Sequence, residues 1–163
     1  MEHDAPAIFV ALEQSGFAAA IRQSRWLYPF ANVGHILALF AFAGAIAVMD
    51  LRLLGAFAAT APGRVLGWAR SAAIAAFCGL AATGSTLFAA EAGHLVLNPV
   101  LRLKAALVGA GLVNVLVYEL AWRKSVVALP PGARMPRAAR IGAALSLAIW
   151  VAVAACGRSI AYF

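Results

Sequence analysis

Acidic side chains are scarce in this sequence: six Asp and Glu stand against 13 Lys and Arg, and charged residues of both signs make up 12% of the chain. A water-soluble domain carries about 25% charged residues. A domain of 163 residues still exposes much of its surface, so so few charges cannot cover a chain that is 64% hydrophobic. The shortage excludes a soluble enzyme and makes lipid the solvent. Cysteine is nearly missing too. Cys78 and Cys156 fall in apolar blocks at different membrane depths, which excludes a disulfide between them and leaves two small hydrophobes. With three histidines, one chain cannot hold two haems on four axial histidines. There is no phosphate-binding glycine loop, no nucleophile elbow and no HExxH helix. The start, Met-Glu-His-Asp, lacks the basic flank of a signal peptide, so no cleavage is expected.

What is present is positive charge and long apolar runs. The net charge of +7 lies in short clusters between apolar blocks and not along one polar face. That arrangement sets membrane orientation and meets anionic headgroups; it does not resemble a nucleic-acid module, and no nucleic-acid partner is expected.

The expected fold class is an all-α, polytopic membrane four-helix bundle in a single domain, preceded by an N-terminal interfacial amphipathic helix. That first helix covers residues 7–25, with Ile8, Leu12, Phe17 and Ile21 as its apolar stripe and too many polar residues to span. Trp26 and Tyr28 mark entry through the headgroup layer. Transmembrane helices are expected over 30–49, 71–97, 105–122 and 138–156, each near the length that crosses about 30 Å of hydrocarbon. Pro62, Gly63, Arg64 and Arg70 make 53–70 a loop with a short interfacial helix. Pro130, Pro131, Gly132 and Pro136 break the chain again. Paired small residues such as Gly84 with Ser85 and Gly142 with Ala143 fit close helix packing.

Eight of the 13 basic residues fall on the side holding the first-to-second and third-to-fourth loops. The positive-inside rule makes that side cytoplasmic and puts both termini outside.

Ionisable residues within spans are costly and are functional candidates by default. His35 lies in the first expected span and His94 in the second, at similar depth from the same side, with Glu91 three residues before His94 on one helix face. Matched histidines on two helices suit axial ligation of haem b, with Glu91 fixing an imidazole tautomer. The same residues suit copper or zinc, with Glu91 as a third group. They equally suit polar glue between helices without any cofactor, or handling of a proton or substrate. Tyr118, Glu119 and Trp122 read as an interfacial rim, and Asp50, Arg52 and Arg123 as an ion pair at the cytoplasmic edge.

The run WLYPFANVGHILALFAFAGAIAVMDLRLLG (Trp26 to Gly55), with NPVLRLKAAL (Asn98 to Leu107), PRAARIGAALSLAIW (Pro136 to Trp150) and GRSIAYF (Gly157 to Phe163), resembles a family of small four-helix bacterial inner-membrane proteins known as a domain of unknown function. The resemblance covers most of the chain, and the phrase holding His35 and Asp50 to Gly55 is its most specific part. It implies the topology, a bacterial inner membrane and His35 as a recurrent feature. A more distant architectural similarity links the chain to four-helix b-type cytochromes. Three functional expectations follow: haem-based electron transfer with an extracytoplasmic redox partner, metal or small-solute handling, and a scaffold or assembly subunit. The lipid bilayer is the first partner, and a metal-binding partner or a second copy of the chain would be others.

Overall fold

The computed structural model describes residues 5–162 and is helical from end to end, with no strand among those residues. Eight α-helices follow in order: α1 (Ala7–Glu13), α2 (Gly16–Gln23), α3 (Leu27–Leu54), α4 (Pro62–Ala90), α5 (Ala92–Leu95), α6 (Pro99–Val117), α7 (Arg123–Val127) and α8 (Arg137–Ser159). A π-helical turn, Tyr118–Trp122, joins α6 to α7, so Pro99–Val127 is one continuous rod. Four helices are long and apolar enough to cross a membrane: Leu27–Leu54, Pro62–Ala90, Pro99–Val127 and Arg137–Ser159. The chain is a multi-pass membrane protein built as a four-helix bundle.

The bundle is ordered α4–α3–α8–α6, and α7 closes it by returning against α4. Its core runs through Phe42, Ile46, Leu53, Leu66, Ala73, Val126 and Ala143. Alanines and glycines bring the rods together: a Cβ on Gly79 would touch the Ala38 methyl at 3.4 Å, and one on Gly111 would meet the Trp150 ring at 2.8 Å. Trp150 in turn stands edge-on to Phe42, with 4.6 Å between ring centroids. The large apolar residues Phe40, Trp68, Leu120 and Val151 face outward, as lipid-facing positions do. Cys78 and Cys156 are both free.

The boundaries differ from the sequence expectation in four places, each for a physical reason. Residues 53–70 are not mainly loop: Pro62 stands in the first turn of α4, where its missing N–H costs nothing, and the helix runs on through Arg64 and Arg70. The first span does not stop at Met49 but continues through Asp50 and Arg52 to Gly55, whose φ of 119° ends α3 in a left-handed cap. The third begins at Pro99, because the Asn98 side chain accepts from the N–H groups of Val100 and Leu101 and caps α6 there. The second ends early, at Ala90, because Glu91 leaves helical geometry with φ −139° and ψ 33°.

The N-terminal segment is likewise not one interfacial helix but two, broken at Gln14 and Ser15. Ser15 caps α2 by accepting from Ala18 N–H at 3.2 Å. Ala18 and Ile21 are buried against the protein, and α2 packs on α4 while α1 packs on α5. Two side chains from this pair hold the break at Glu91. Arg22 donates to the Ala90 carbonyl at 2.8 Å, and the Glu13 carboxylate accepts from Gly93 N–H at 2.6 Å.

Candidate functional site

His35, on α3, reaches α4. Its Nδ1 stands 2.9 Å from the Thr83 hydroxyl, which itself donates to the Gly79 carbonyl at 2.7 Å. A hydroxyl has one proton, so His35 Nδ1 is the donor in this pair and Nε2 keeps its lone pair. The ring packs edge-on to α4: a Cβ on Gly84 would lie 3.2 Å from His35 Cε1. Glu91 and His94 are exposed, and they do not share a face of a spanning helix, because Glu91 is the residue at which α4 breaks and His94 lies on α5 beyond it. The structure therefore brings His35 together with Thr83 and turns the Tyr28 hydroxyl toward Glu91. It does not gather His35, Glu91 and His94: among the described residues no group of three or more His, Cys, Asp or Glu side chains is placed to hold a metal ion.

The opposite end of the bundle carries the denser chemistry. Asp50, four residues before the end of α3, is only 5% exposed, and its Oδ2 has no hydrogen-bond partner. It faces a cavity of about 60 Å³ between α3, α6 and α8, enough for a few water molecules. Tyr118, Asn114 and Ser146 line the same cavity, with Trp122 at its edge. The Tyr118 hydroxyl is also buried and unpartnered. Asn114 spends one amide proton on the Gly142 carbonyl at 3.1 Å, which fastens α6 to α8. Tyr118 and Trp122 are the first and last residues of the π-helical turn, a departure from α-geometry that is frequent at functional sites.

No known family model, curated protein or solved structure matches the chain.

The expected ion pair of Asp50 with Arg52 and Arg123 does not form. Two residues apart on a helix, Asp50 and Arg52 point to different sides. Arg123 pairs with Glu119 at 3.5 Å, and Glu119 also takes Arg70 at 2.6 Å, so Glu119 is the anion of this end. Tyr118 and Trp122 belong to a cavity wall and not to a plain rim. A charged residue near the end of an apolar run looks like a boundary marker, and that reading concealed Asp50. The available signal was its isolation: among six acids in the chain, Asp50 alone sits directly after an uninterrupted apolar run of a first span.

Chemically, the cavity offers a carboxyl group, a phenol, a serine hydroxyl and an amide around a small space. Such a set can accept and release a proton, or hold a small cation between the carboxylate and oxygen donors backed by aromatic faces.

Proposed function

We propose that this is a bacterial inner-membrane protein that handles a proton or a small cation through Asp50. The observation that carries the reading is a carboxyl oxygen buried in a spanning helix, without a partner, facing a cavity that also contains an unpartnered Tyr118 hydroxyl. An unpaired polar group in hydrocarbon costs free energy, and intramembrane acids of this kind serve ion and proton paths. The surplus of basic residues at the Asp50 end supports placing that end in the cytoplasm, with both termini outside. The resemblance of Trp26–Gly55 supports the bacterial inner membrane and the small four-helix family.

The test is reconstitution in vesicles holding a pH-sensitive dye, with a potassium diffusion potential as driving force, together with infrared difference spectra of the carboxyl stretch on titration. The expected result is cation or proton flux that falls about tenfold or more in Asp50→Asn, with loss of a titrating carboxyl band. Equal flux and an unchanged spectrum in that variant defeat the proposal.

A second reading keeps haem b, copper or zinc on His35, and one observation favours it: Thr83 holds Nδ1 and leaves Nε2 with its lone pair, as an orienting partner does for a ligand histidine. The second axial position draws no comparable support, since His94 and Glu91 are exposed beyond the α4 break. Absorption spectra of oxidised and reduced protein, with His35→Ala and His94→Ala beside the wild type, decide this reading. A redox or metal-binding partner outside the membrane belongs to it alone. A scaffold role predicts no flux, no spectrum and no metal.

A further inference from the structure

A second concavity lies at the same end of the bundle, separated from the Asp50 cavity by the first turn of α8. Ala138 and Ala139 face the small cavity, and Arg137 and Arg140 face the larger one. The larger space measures about 530 Å³ and is lined by Arg52, Arg134, Arg137 and Arg140. Its rim is built by two loops. Gly132, at φ 80°, donates its N–H to the Ala58 carbonyl at 2.8 Å and so pins the loop after α3 to the loop before α8.

Four arginines line this space, and no acidic residue among the described residues lines it with them. The ion pairs among the described residues are those of Glu119 with Arg70 and Arg123, and neither involves the four arginines of this pocket. Arg134, Arg137 and Arg140 are exposed, as arginines in a headgroup layer normally are. Arg52 is not: it is 1% exposed, gives one hydrogen bond to the Thr60 carbonyl at 3.0 Å, and its Nε has no partner. A buried guanidinium with open donors and no anion is an expensive arrangement. The N-terminus of α8 opens at the same place with no side-chain cap, so its free N–H groups add positive potential.

We infer that this pocket binds a phosphate-bearing anion, either the headgroup of an anionic phospholipid or a soluble phosphate. Guanidinium forks match phosphate oxygens geometrically, and basic pockets at the ends of spanning helices suit anionic headgroups. The volume is larger than one inorganic phosphate needs and falls within the range of small-molecule sites. The inference does not depend on Asp50.

The experiment uses the full chain in nanodiscs. Thermal unfolding is followed in phosphatidylcholine discs with and without inorganic phosphate, and in discs containing phosphatidylglycerol. Bound lipid is counted by native mass spectrometry. The variants are Arg134→Gln/Arg137→Gln/Arg140→Gln, whose exposed positions spare the fold, and Arg102→Gln/Arg158→Gln at the opposite end as a charge control. Stabilisation and retained lipid with phosphatidylglycerol alone assign a headgroup; protection by phosphate in phosphatidylcholine discs assigns a soluble anion. In either case the triple variant weakens the effect by roughly tenfold or more, the scale of losing one charge-assisted hydrogen bond, while the control changes little. No response to either anion, or equal losses in the triple variant and the control, overturns the inference.

Discussion

At the end of the bundle where α4 breaks, the buried polar groups are matched. Asn98, 5% exposed, accepts from two backbone N–H groups and donates to the Ile160 carbonyl. The irregular backbone at Glu91 is held from outside by Arg22 and Glu13. At the other end, Asp50 Oδ2, Arg52 Nε and the Tyr118 hydroxyl are buried without partners. Both ends break helical regularity, one by an open kink and one by a π-turn, yet among the described residues the bare polar atoms at the ends all lie at the end with the π-turn, with Trp150 Nε1 the one other, midway along α8. Under the proposed function the difference separates a structural use of polar residues from one that holds free energy in reserve for a ligand or a proton. Each bare atom costs about 1–3 kcal/mol, and a bound species that satisfies it recovers that cost.

Substitutions can break this contrast. The largest expected effects are at the contact of Glu13 with Gly93, where a Cβ would lie 2.7 Å from the Glu13 carboxylate. Gly93→Val should destabilise the protein by about 2 kcal/mol in a detergent unfolding titration, because the flexible Glu13 side chain swings aside and its charge-assisted hydrogen bond to the Gly93 N–H is lost. Glu13→Ala should cost about 2 kcal/mol in the same titration by removing a charge-assisted hydrogen bond, and amides of α5 should then exchange faster with deuterated water. Asn98→Ala should cost about 1–2 kcal/mol through the lost cap of α6. Asp50→Asn should differ in sign: unchanged or raised stability, by up to about 1 kcal/mol, since Oδ2 has no native partner to lose and a buried charge is relieved. A loss of 2 kcal/mol or more at Asp50 would erase the distinction between the two ends.

Much of the fold was legible because it depends on composition. Runs such as Phe30–Met49 and Ala138–Cys156 have one physical solution in lipid, and the structure has a spanning helix over each. The ends were less legible. Asp50 and Arg52 read as exit markers because charge usually leaves the membrane, whereas here α3 carries both into buried positions. Pro62 read as a breaker because its partner context, a first helical turn, is set by where α3 ends. The break at Glu91 leaves almost no local trace in the sequence around it, since its stabilising groups come from residues about 70–80 positions away. The shared cavity of Asp50 and Tyr118 needs the pairing of α3, α6 and α8, which periodicity alone does not specify. His35 could be named from its rarity, but its Thr83 partner could not.

The π-turn at Tyr118–Trp122 also bears on how the chain tolerates changes in length. A π-helical turn closes its hydrogen bonds one residue later than an α-turn, so it stores one surplus residue inside an unbroken rod. Deleting one residue there would turn the π-turn into an α-turn and leave the side chains on either side pointing almost where they do now, because the surplus residue is what the wider turn absorbs. With α7 anchored on α4, Asn114 and Gly111 would keep facing α8, whereas a deletion between Asn114 and the π-turn would swing them by roughly 100°, the angle of one residue in a helix with 3.6 per turn. The turn is thus slack in the rod: it tolerates the loss of one residue that the regular part of α6 does not.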